Sequence, residues 1–337
     1  MPNNARLQFI CLFIFSSAFS IRSVAQRGVP VGALPTYYNG GFAGEAGVPR
    51  LASFSYVKVG LREFSPDDSP YNNAGTFISF DHFLKKIGTG VAFTAGTEKF
   101  SRGSKGNFVS LSISPKMSSK GKITFAPFAD ISYQRFNNTF LYELTPPFPS
   151  RFVTEDLVIR SGFLLNSSRA YIGLSAEVLS YATDFPSLKE NWKVFPDRAI
   201  NLQAGYTFQQ TPESKFSFTP QLALSFSRGN YYYYSVAQPI KKMNFINLMD
   251  LNLMFRYDKW LAGINSAGFV LGYQTNKFKL QVTNFYSNKP RDGKTWEIGD
   301  HTRFNTSSGF GSLGGYTGNI SLRYIFRKDE SPKMPGF

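Results

Sequence analysis

Apolar and polar residues alternate along most of this chain with a period of two. In residues 215–228 (KFSFTPQLALSFSR), Phe216 and Phe218 fall on one face of an extended chain, and Ser217 and Thr219 fall on the other. The same alternation recurs in residues 107–114, 198–209 and 319–326. A period of two predicts β-strands that have one apolar face and one polar face.

The pattern predicts fourteen strands and no helix. They cover approximately residues 50–60, 73–83, 87–98, 106–116, 122–134, 155–166, 169–181, 198–209, 215–228, 246–257, 259–265, 267–275, 277–287 and 316–327. The alternation is weakest in the first, second and sixth strands, and the eleventh and twelfth are short.

Strand and loop lengths favour a transmembrane barrel over a soluble sandwich. Most strands reach about ten residues, near the ~9–11 that cross a tilted bilayer, whereas strands of soluble domains average about 5–6. Connections after the even-numbered strands are short and most others are long, with short exceptions at 99–105 and near 266. We therefore predict an all-β, transmembrane antiparallel β-barrel over residues 50–327 in the cell outer membrane. The even strand count predicts that both termini are periplasmic.

The polar faces of the predicted strands carry charged residues. They are Asp130, Glu177, Asp250, Arg256, Lys279 and Arg323. An unpaired charge in a dry core costs several kcal/mol, so these residues predict a polar lumen. Aromatic residues near strand ends, such as Tyr133, Tyr206 and Tyr324, predict interfacial girdles. Pro127 and Pro220 fall inside strands, where we expect a bulge or a break in each.

The first 25 residues have the features of a secretory signal peptide. Arg6 precedes an apolar run over residues 7–19, and residues 23–25 are small enough for cleavage. The one cysteine, Cys11, lies in that run, so the mature chain contains no disulfide. Export also disfavours nucleic acid as a partner, although the net charge is +15.

Residues 26–49 come between the signal peptide and the first strand. Their glycines permit tight bends, and their aromatic residues can anchor the segment to the barrel. We expect them to fold into the lumen or lie beneath it as a periplasmic plug or docking segment; a disordered leader is the alternative. We expect residues 328–337 to form a short periplasmic tail.

Catalytic and metal-binding residues are scarce. His82 lies beside Asp81 and near Ser79, which is a possible hydrolytic set, but one wall histidine is more often an interfacial residue. His301 lies in the final long loop, and no residues have metal-ligand spacing. The glycine-rich residues 309–315 precede a strand, not a helix, so they do not form a phosphate-binding loop. We predict no enzyme activity, no cofactor and no metal.

Basic residues cluster at the predicted periplasmic turns. They are Lys85, Lys86, Lys116, Lys120, Lys122, Lys215, Lys259 and Lys277. A positive ring could dock an acidic partner or favour anions in a pore, and attraction to lipid headgroups is the alternative.

The segment before the first strand contains Asn39, Phe42, Ala43 and Gly44, followed by the pair Arg50 and Leu51. These residues match a motif like N-P-A-F-A-G followed by an R-L pair, and in this the chain resembles the PorP/SprF family of Bacteroidetes outer-membrane proteins. Residues 259–287 resemble the family's closing section, with matches at Trp260, Gly263, Gly272, Tyr273 and Gln274. Gly40 and Gly41 replace Pro and Ala of the motif, and the family's final His-Glu pair is absent.

The resemblance implies a fourteen-stranded barrel associated with type IX secretion and, in some organisms, gliding motility. It implies action by binding, with outer-membrane lipid around the barrel. The implied partners are a periplasmic lipoprotein or peptidoglycan-binding component, or a secreted adhesin. The family-motif candidates for partner binding are Asn39, Phe42, Ala43, Gly44, Arg50 and Trp260. The alternative is a fatty-acid-channel-like or porin-like transporter of small or hydrophobic molecules, since such channels also have fourteen strands and an N-terminal hatch.

Overall fold

The computed structural model describes thirteen stretches of the chain. They are residues 32–60, 71–99, 104–119, 123–139, 151–184, 189–194, 200–211, 214–232, 239–265, 268–287, 295–297, 302–305 and 315–326. The predicted signal peptide, the tail 328–337, His301 and residues 309–314 lie outside them, as do Lys120 and Lys122.

Antiparallel strands make up nearly all of the described chain. They are β1 Arg50–Gly60, β2 Tyr71–Leu84, β3 Thr89–Lys99, β4 Lys105–Pro115, β5 Met117–Ser119, β6 Ile123–Thr139, β7 Arg151–Ser167, β8 Ala170–Asp184, β9 Lys189–Val194, β10 Ile200–Tyr206, β11 Phe216–Tyr232, β12 Pro239–Tyr257, β13 Trp260–Asn265, β14 Gly268–Gln274, β15 Phe278–Ser287, β16 Thr295–Glu297, β17 Thr302–Asn305 and β18 Gly315–Ile325. A short helix, α1 Pro35–Tyr38, and a 3-10 turn, Gly40–Phe42, precede them. No helix in these described residues is long and apolar enough to cross a membrane.

Fourteen of these strands close into one barrel. β1 pairs with β2 on one side and with β18 on the other, which joins the first and last strands. The order around the barrel is β1, β2, β3, β4, β6, β7, β8, β10, β11, β12, β13, β14, β15 and β18. The predicted fold class is therefore confirmed, and each predicted strand corresponds to one barrel strand.

The outward and inward faces follow the alternation in the sequence. On β4, Leu111 and Ile113 are about half exposed on the outer wall, while Ser110 and Ser112 are buried on the inner wall. The charged side chains of Asp130, Asp250, Lys279 and Arg323 are also buried on the inner wall. The barrel is thus apolar outside and polar inside, as predicted.

Tight turns gather at the end of the barrel where β1 begins. We call this the turn end; its turns include residues 85–88, 168–169, 258–259 and 275–277. Aromatic side chains surround it. Trp260 packs edge-on against Tyr273 with ring centroids 5.3 Å apart, and Tyr324 does the same with Phe326 at 5.2 Å. These pairs form a girdle of the kind that lies at a membrane interface.

The two strand prolines do not break their own strands, contrary to our expectation. β6 pairs with β7 through Pro127 without a register shift, and β11 pairs with β12 in register at Pro220, with a shift three residues further on between Ala223 and Leu224. The interruption falls on the other neighbour instead. On the other side of β6, pairing with β4 stops at Ile113 and pairing with β5 begins at Met117. On the other side of β11, the neighbouring strand β10 ends at Tyr206. A proline lacks an N–H on one side only, so only that ladder is broken.

The strands at the long-loop end extend further than predicted. β12 begins at Pro239, β6 reaches Thr139 and β7 begins at Arg151. The long connections that follow the predicted strands 169–181 and 277–287 also contain short strands: β9 pairs with β8, and β17 pairs with β12 in parallel. Beyond the bilayer both faces of a strand meet water, so the alternation that marks a strand in the sequence disappears.

Candidate functional site: the plugged lumen

Residues 32–49 lie inside the barrel at the turn end, and we call them the plug. Leu34, Asn39 and Phe42 have no exposed surface. The 3-10 turn contacts β3, β4, β6 and β7, and the other end of the plug at Ala46 and Val48 packs on Ile325 of β18. The plug is therefore surrounded by strands from several sides of the wall.

Aromatic side chains give the plug an apolar core within a polar lumen. The ring of Tyr37 lies 5.6 Å from that of Phe77 and 5.1 Å from that of Phe108, both on the wall. The ring of Phe42 lies edge-on to that of Tyr171, 5.2 Å away. Such pairs contribute about 0.5–1.5 kcal/mol beyond the burial of their area.

A buried ion pair joins the start of β1 to β2 and to the plug. Arg50 Nε donates to Asp81 Oδ2 at 2.7 Å, and the other carboxylate oxygen, Oδ1, accepts the backbone N–H of Gly44 at 3.0 Å. Arg50 Nη2 also donates to the carbonyl of Phe42 at 3.4 Å. One carboxylate thus connects two strands with the backbone of the plug.

A second charged contact links the plug to β7 and to the connection after β4. Glu45 Oε1 lies 2.7 Å from Lys116 Nζ, and Glu45 Oε2 accepts a hydrogen bond from Asn166 Nδ2 at 2.7 Å. Lys116 Nζ also donates to the carbonyl of Gly41. Lys116 was predicted to join the basic ring at the turns, and that prediction is wrong: its ammonium group lies inside the lumen because Glu45 pairs with it there.

Polar wall residues bind the plug helix α1. Arg160 donates two hydrogen bonds to Asp130, at 2.9 Å and 2.7 Å, and its terminal nitrogens approach the carbonyl of Tyr37 at 3.4–3.5 Å. The hydroxyl of Thr36 lies 2.8 Å from that of Ser79. Helix α1 therefore has polar partners on β2 and β7 of the wall.

Asn39 organises the 3-10 turn that follows it. Its Oδ1 accepts the N–H of Gly41 at 2.8 Å, which caps the turn, and its Nδ2 donates to the carbonyl of Phe163 on β7 at 3.4 Å. A Cβ on Gly40 would lie 2.6 Å from Phe128 Cδ2, and one on Gly41 would lie 2.6 Å from Leu164 Cβ. The turn therefore approaches the wall more closely than alanine would allow.

The Ala43–Gly44 peptide lies against β3. Gly44 has a φ of +69°, and a Cβ there would be 2.7 Å from the Cα of Gly90. A Cβ on Gly90 would in turn lie 2.0 Å from the carbonyl oxygen of Ala43. The two glycines allow backbone to pack on backbone at this contact.

Five of the six family-motif candidates meet in or beside the plug. Asn39, Phe42, Ala43 and Arg50 are buried, and Gly44 bonds to Asp81. Their positions indicate a role in docking the plug. Trp260 lies apart from them, on the outer wall at the turn end, with 68% of its surface exposed.

The sequence does not identify the wall residues that hold the plug. It indicates Asp81 only as a neighbour of His82, and Asp130 only as a charged residue of the lumen. The partner of Glu45 could not be predicted, because Lys116 is placed near it only by closure of the barrel. The feature of the sequence that could have identified these partners of the plug is a charged residue at an inward-facing strand position.

Ser79, Asp81 and His82 do not converge into a catalytic set. Ser79 and Asp81 face the lumen, where they contact Thr36 and Arg50. His82 occupies the opposite face of β2, since successive strand residues point to opposite sides. Its buried Nδ1 has no hydrogen-bond partner among the described residues. Those residues also contain no group of three or more His, Cys, Asp or Glu side chains placed to hold a metal ion.

No protein-family model matches the chain, and no curated protein matches it. Solved structures with a similar fold include the Ralstonia pickettii toluene transporter TbuX, at 12% identity over 90% of this chain and 95% of that one, with a TM-score of 0.43. They also include a Pseudomonas aeruginosa FadL homologue, at 10% identity over 90% of this chain and 99% of that one, with a TM-score of 0.44. The translocator domain of autotransporter NalP from Neisseria meningitidis matches at 9% identity over 83% of this chain and 88% of that one, with a TM-score of 0.38. At these identities the likeness is one of barrel architecture alone.

A closed sheet leaves no unpaired edge, and its apolar outer wall is suited to lipid. The aromatic girdle at the turn end and the polar, plugged interior complete the arrangement found in bacterial outer-membrane barrels. This chain is a fourteen-stranded β-barrel of the outer membrane.

Proposed function

We propose that the protein is a plugged barrel that acts by binding other proteins, as a component associated with type IX secretion. The observation that carries this proposal is the fixed plug: Asp81, Lys116 and Arg160 each bind it from a different part of the wall. A barrel for free diffusion needs an open lumen. A lumen filled by buried ionic and aromatic contacts supports binding over open conduction.

The motif residues of the plug support the association with type IX secretion. Asn39, Phe42, Ala43, Gly44 and Arg50 match the PorP/SprF pattern and form one docked unit. Because most of them are buried, they position the plug and do not themselves contact a partner. Gliding motility in some family members extends the same proposal.

Exposed lysines at the turn end offer a surface for an acidic partner. They are Lys85, Lys86, Lys215, Lys259 and Lys277. We predicted this end to be periplasmic, where a lipoprotein or peptidoglycan-binding component of the secretion apparatus would meet it. A secreted adhesin would meet the opposite, long-loop end. If the lysines bind lipid headgroups instead, replacing them will not change which partner proteins are recovered with the barrel.

Affinity purification from native membranes tests this proposal. The wild-type barrel should recover type IX secretion components, and a variant with these five lysines replaced by glutamine should recover far less. Lys99→Gln with Lys105→Gln is the control, because these exposed lysines pair with each other at the opposite end of β3 and β4. Recovery of no secretion component by the wild-type protein would contradict the proposal.

Gated passage of small polar solutes is the second candidate function. The polar inner wall favours it, including the buried cations Lys279 and Arg323. A hydrophobic route through a kink at either proline has less support, since the ladders run through Pro127 and Pro220 in register and the nearest shift in β11 lies between Ala223 and Leu224. Transport of toluene is a property of the neighbour TbuX.

A disulfide between plug and wall separates the two functions. Thr36→Cys with Ser79→Cys replaces hydroxyls 2.8 Å apart and would fix the plug to β2. Ser55→Cys with Thr76→Cys is the control, because these exposed hydroxyls lie 3.1 Å apart between β1 and β2. A sealed barrel shows the same low planar-bilayer conductance with or without reductant. A gated barrel conducts, and only the plug disulfide blocks it until reductant is added.

A further inference from the structure

Three cations lie on the inner wall at the turn end, on three strands of the barrel. We call Arg256 of β12, Lys279 of β15 and Arg323 of β18 the lumenal cation cluster. Lys279 is directly opposite Arg323 across the β15–β18 ladder, and the two residues are 5% and 6% exposed. Lys279 is also within electrostatic range of Arg256.

Two guanidinium nitrogens of the cluster lack an acceptor. Arg256 Nε and Arg323 Nη1 are buried and have no hydrogen-bond partner in the described part of the chain. Asp81 is within electrostatic range of Arg323, but its oxygens already accept hydrogen bonds from Arg50 and Gly44. A buried charged donor without an acceptor costs several kcal/mol, so the free protein carries a site that an anion would stabilise.

The wall between Arg256 and Lys279 carries one amide side chain. The register places Leu261 beside Arg256, then Gly272, then Gln281, two residues along β15 from Lys279. Gly272 contributes no side chain, and Gln281 lies over it, with its Nε2 3.9 Å from Met254 Sδ. A ligand between the two cations would therefore also meet the amide group of Gln281.

We propose that the lumenal cation cluster binds an oxyanion of the phosphate class. A guanidinium group presents parallel N–H donors that match two oxygens of one phosphate, and an ammonium group adds a point charge. A phosphate group carries about −1.5 to −2 charge near neutral pH, which suits three neighbouring cations better than a single carboxylate. The site exists whether the barrel binds proteins or passes solutes.

Phosphate titration of the purified, detergent-solubilised barrel tests the site. The ³¹P resonance of inorganic phosphate should broaden on addition of the wild-type protein. Arg256→Gln with Arg323→Gln should weaken the apparent affinity at least tenfold. Lys99→Gln with Lys105→Gln is the matched control: it removes the same charge from exposed positions on β3 and β4, away from the cluster, and should bind like the wild type.

A second probe, glycerol phosphate, distinguishes the source of the anion. Binding of inorganic phosphate assigns a free-anion site, and binding of glycerol phosphate alone assigns a phosphomonoester site. If the arginine variant does not fold, the wild type provides the test: phosphate should raise its unfolding temperature by a few degrees over chloride at equal ionic strength. Broadening that is equal in both double variants, or no effect of either probe on the wild type, would overturn the proposal.

Discussion

Asp81 of β2 binds Arg50 of β1 through one carboxylate oxygen and the backbone of Gly44 through the other, at 2.7 Å and 3.0 Å. The ion pair is almost fully buried, with side chains 4% and 3% exposed. The first strand and the plug that precedes it are therefore held by the same acid, so loss of this contact should affect both barrel stability and plug position.

Arg50→Gln should lower the free energy of unfolding by about 3–5 kcal/mol, because it leaves Asp81 charged and buried without its cation. Urea unfolding of the refolded barrel measures the change. Arg135→Gln is the control: Arg135 pairs with Glu155 at 3.6 Å, and the two side chains are 50% and 39% exposed. That variant should lose less than about 1 kcal/mol. Equal losses would show that burial of the Arg50 pair has no energetic role.

Gly44→Ala should release the plug, whereas Gly88→Ala should not. Both glycines have positive φ, +69° and +62°, so alanine costs each about 1–2 kcal/mol of backbone strain. A Cβ on Gly44 meets the backbone of β3, and one on Gly88 meets nothing within 4 Å.

Thiol labelling measures this release. In a chain with Cys11→Ser, Ala46→Cys introduces a single buried thiol in the plug, because the sequence has one cysteine. The label should react much faster in the Gly44→Ala background than in the Gly88→Ala background. Similar slow labelling in both would mean that the Gly44–Gly90 contact does not hold the plug.

Glu45 and Lys116 should be energetically coupled. Each single variant, Glu45→Gln or Lys116→Met, leaves one buried charge without its partner, so each should destabilise the barrel. The double variant should lose less than the sum, with a coupling free energy of about 0.5–3 kcal/mol. A double-mutant cycle in urea provides the measurement. Strict additivity would exclude an interaction between the two groups.

Leu111→Arg should destabilise the barrel in the bilayer by about 2–4 kcal/mol, because Leu111 lies midway along β4 on the outer wall. Ile87→Arg should cost no more than about 1 kcal/mol, since Ile87 lies in a turn and is 67% exposed. Unfolding from lipid vesicles compares the two. The opposite order of losses would contradict a lipid-facing outer wall.

The alternation of side chains predicted the fold. The alternation of odd and even positions along β4 assigned Leu111 to the outer wall and Ser112 to the lumen, because successive side chains of a strand point to opposite faces. The same rule placed Lys279 and Arg323 inside. It gave no information beyond the bilayer, so β9, β16 and β17 and the full length of β12 were missed.

The sequence by itself determined the strands, their faces and the apolar exterior, since these depend on neighbours one or two residues apart. Only the tertiary structure decided which residues meet in the lumen. Glu45 and Asn166 are 121 positions apart, and Lys116 lies between them in the chain. Closure of the barrel brings β7 and the end of β4 to the plug, and a local pattern cannot encode a contact that depends on the curvature of the whole sheet.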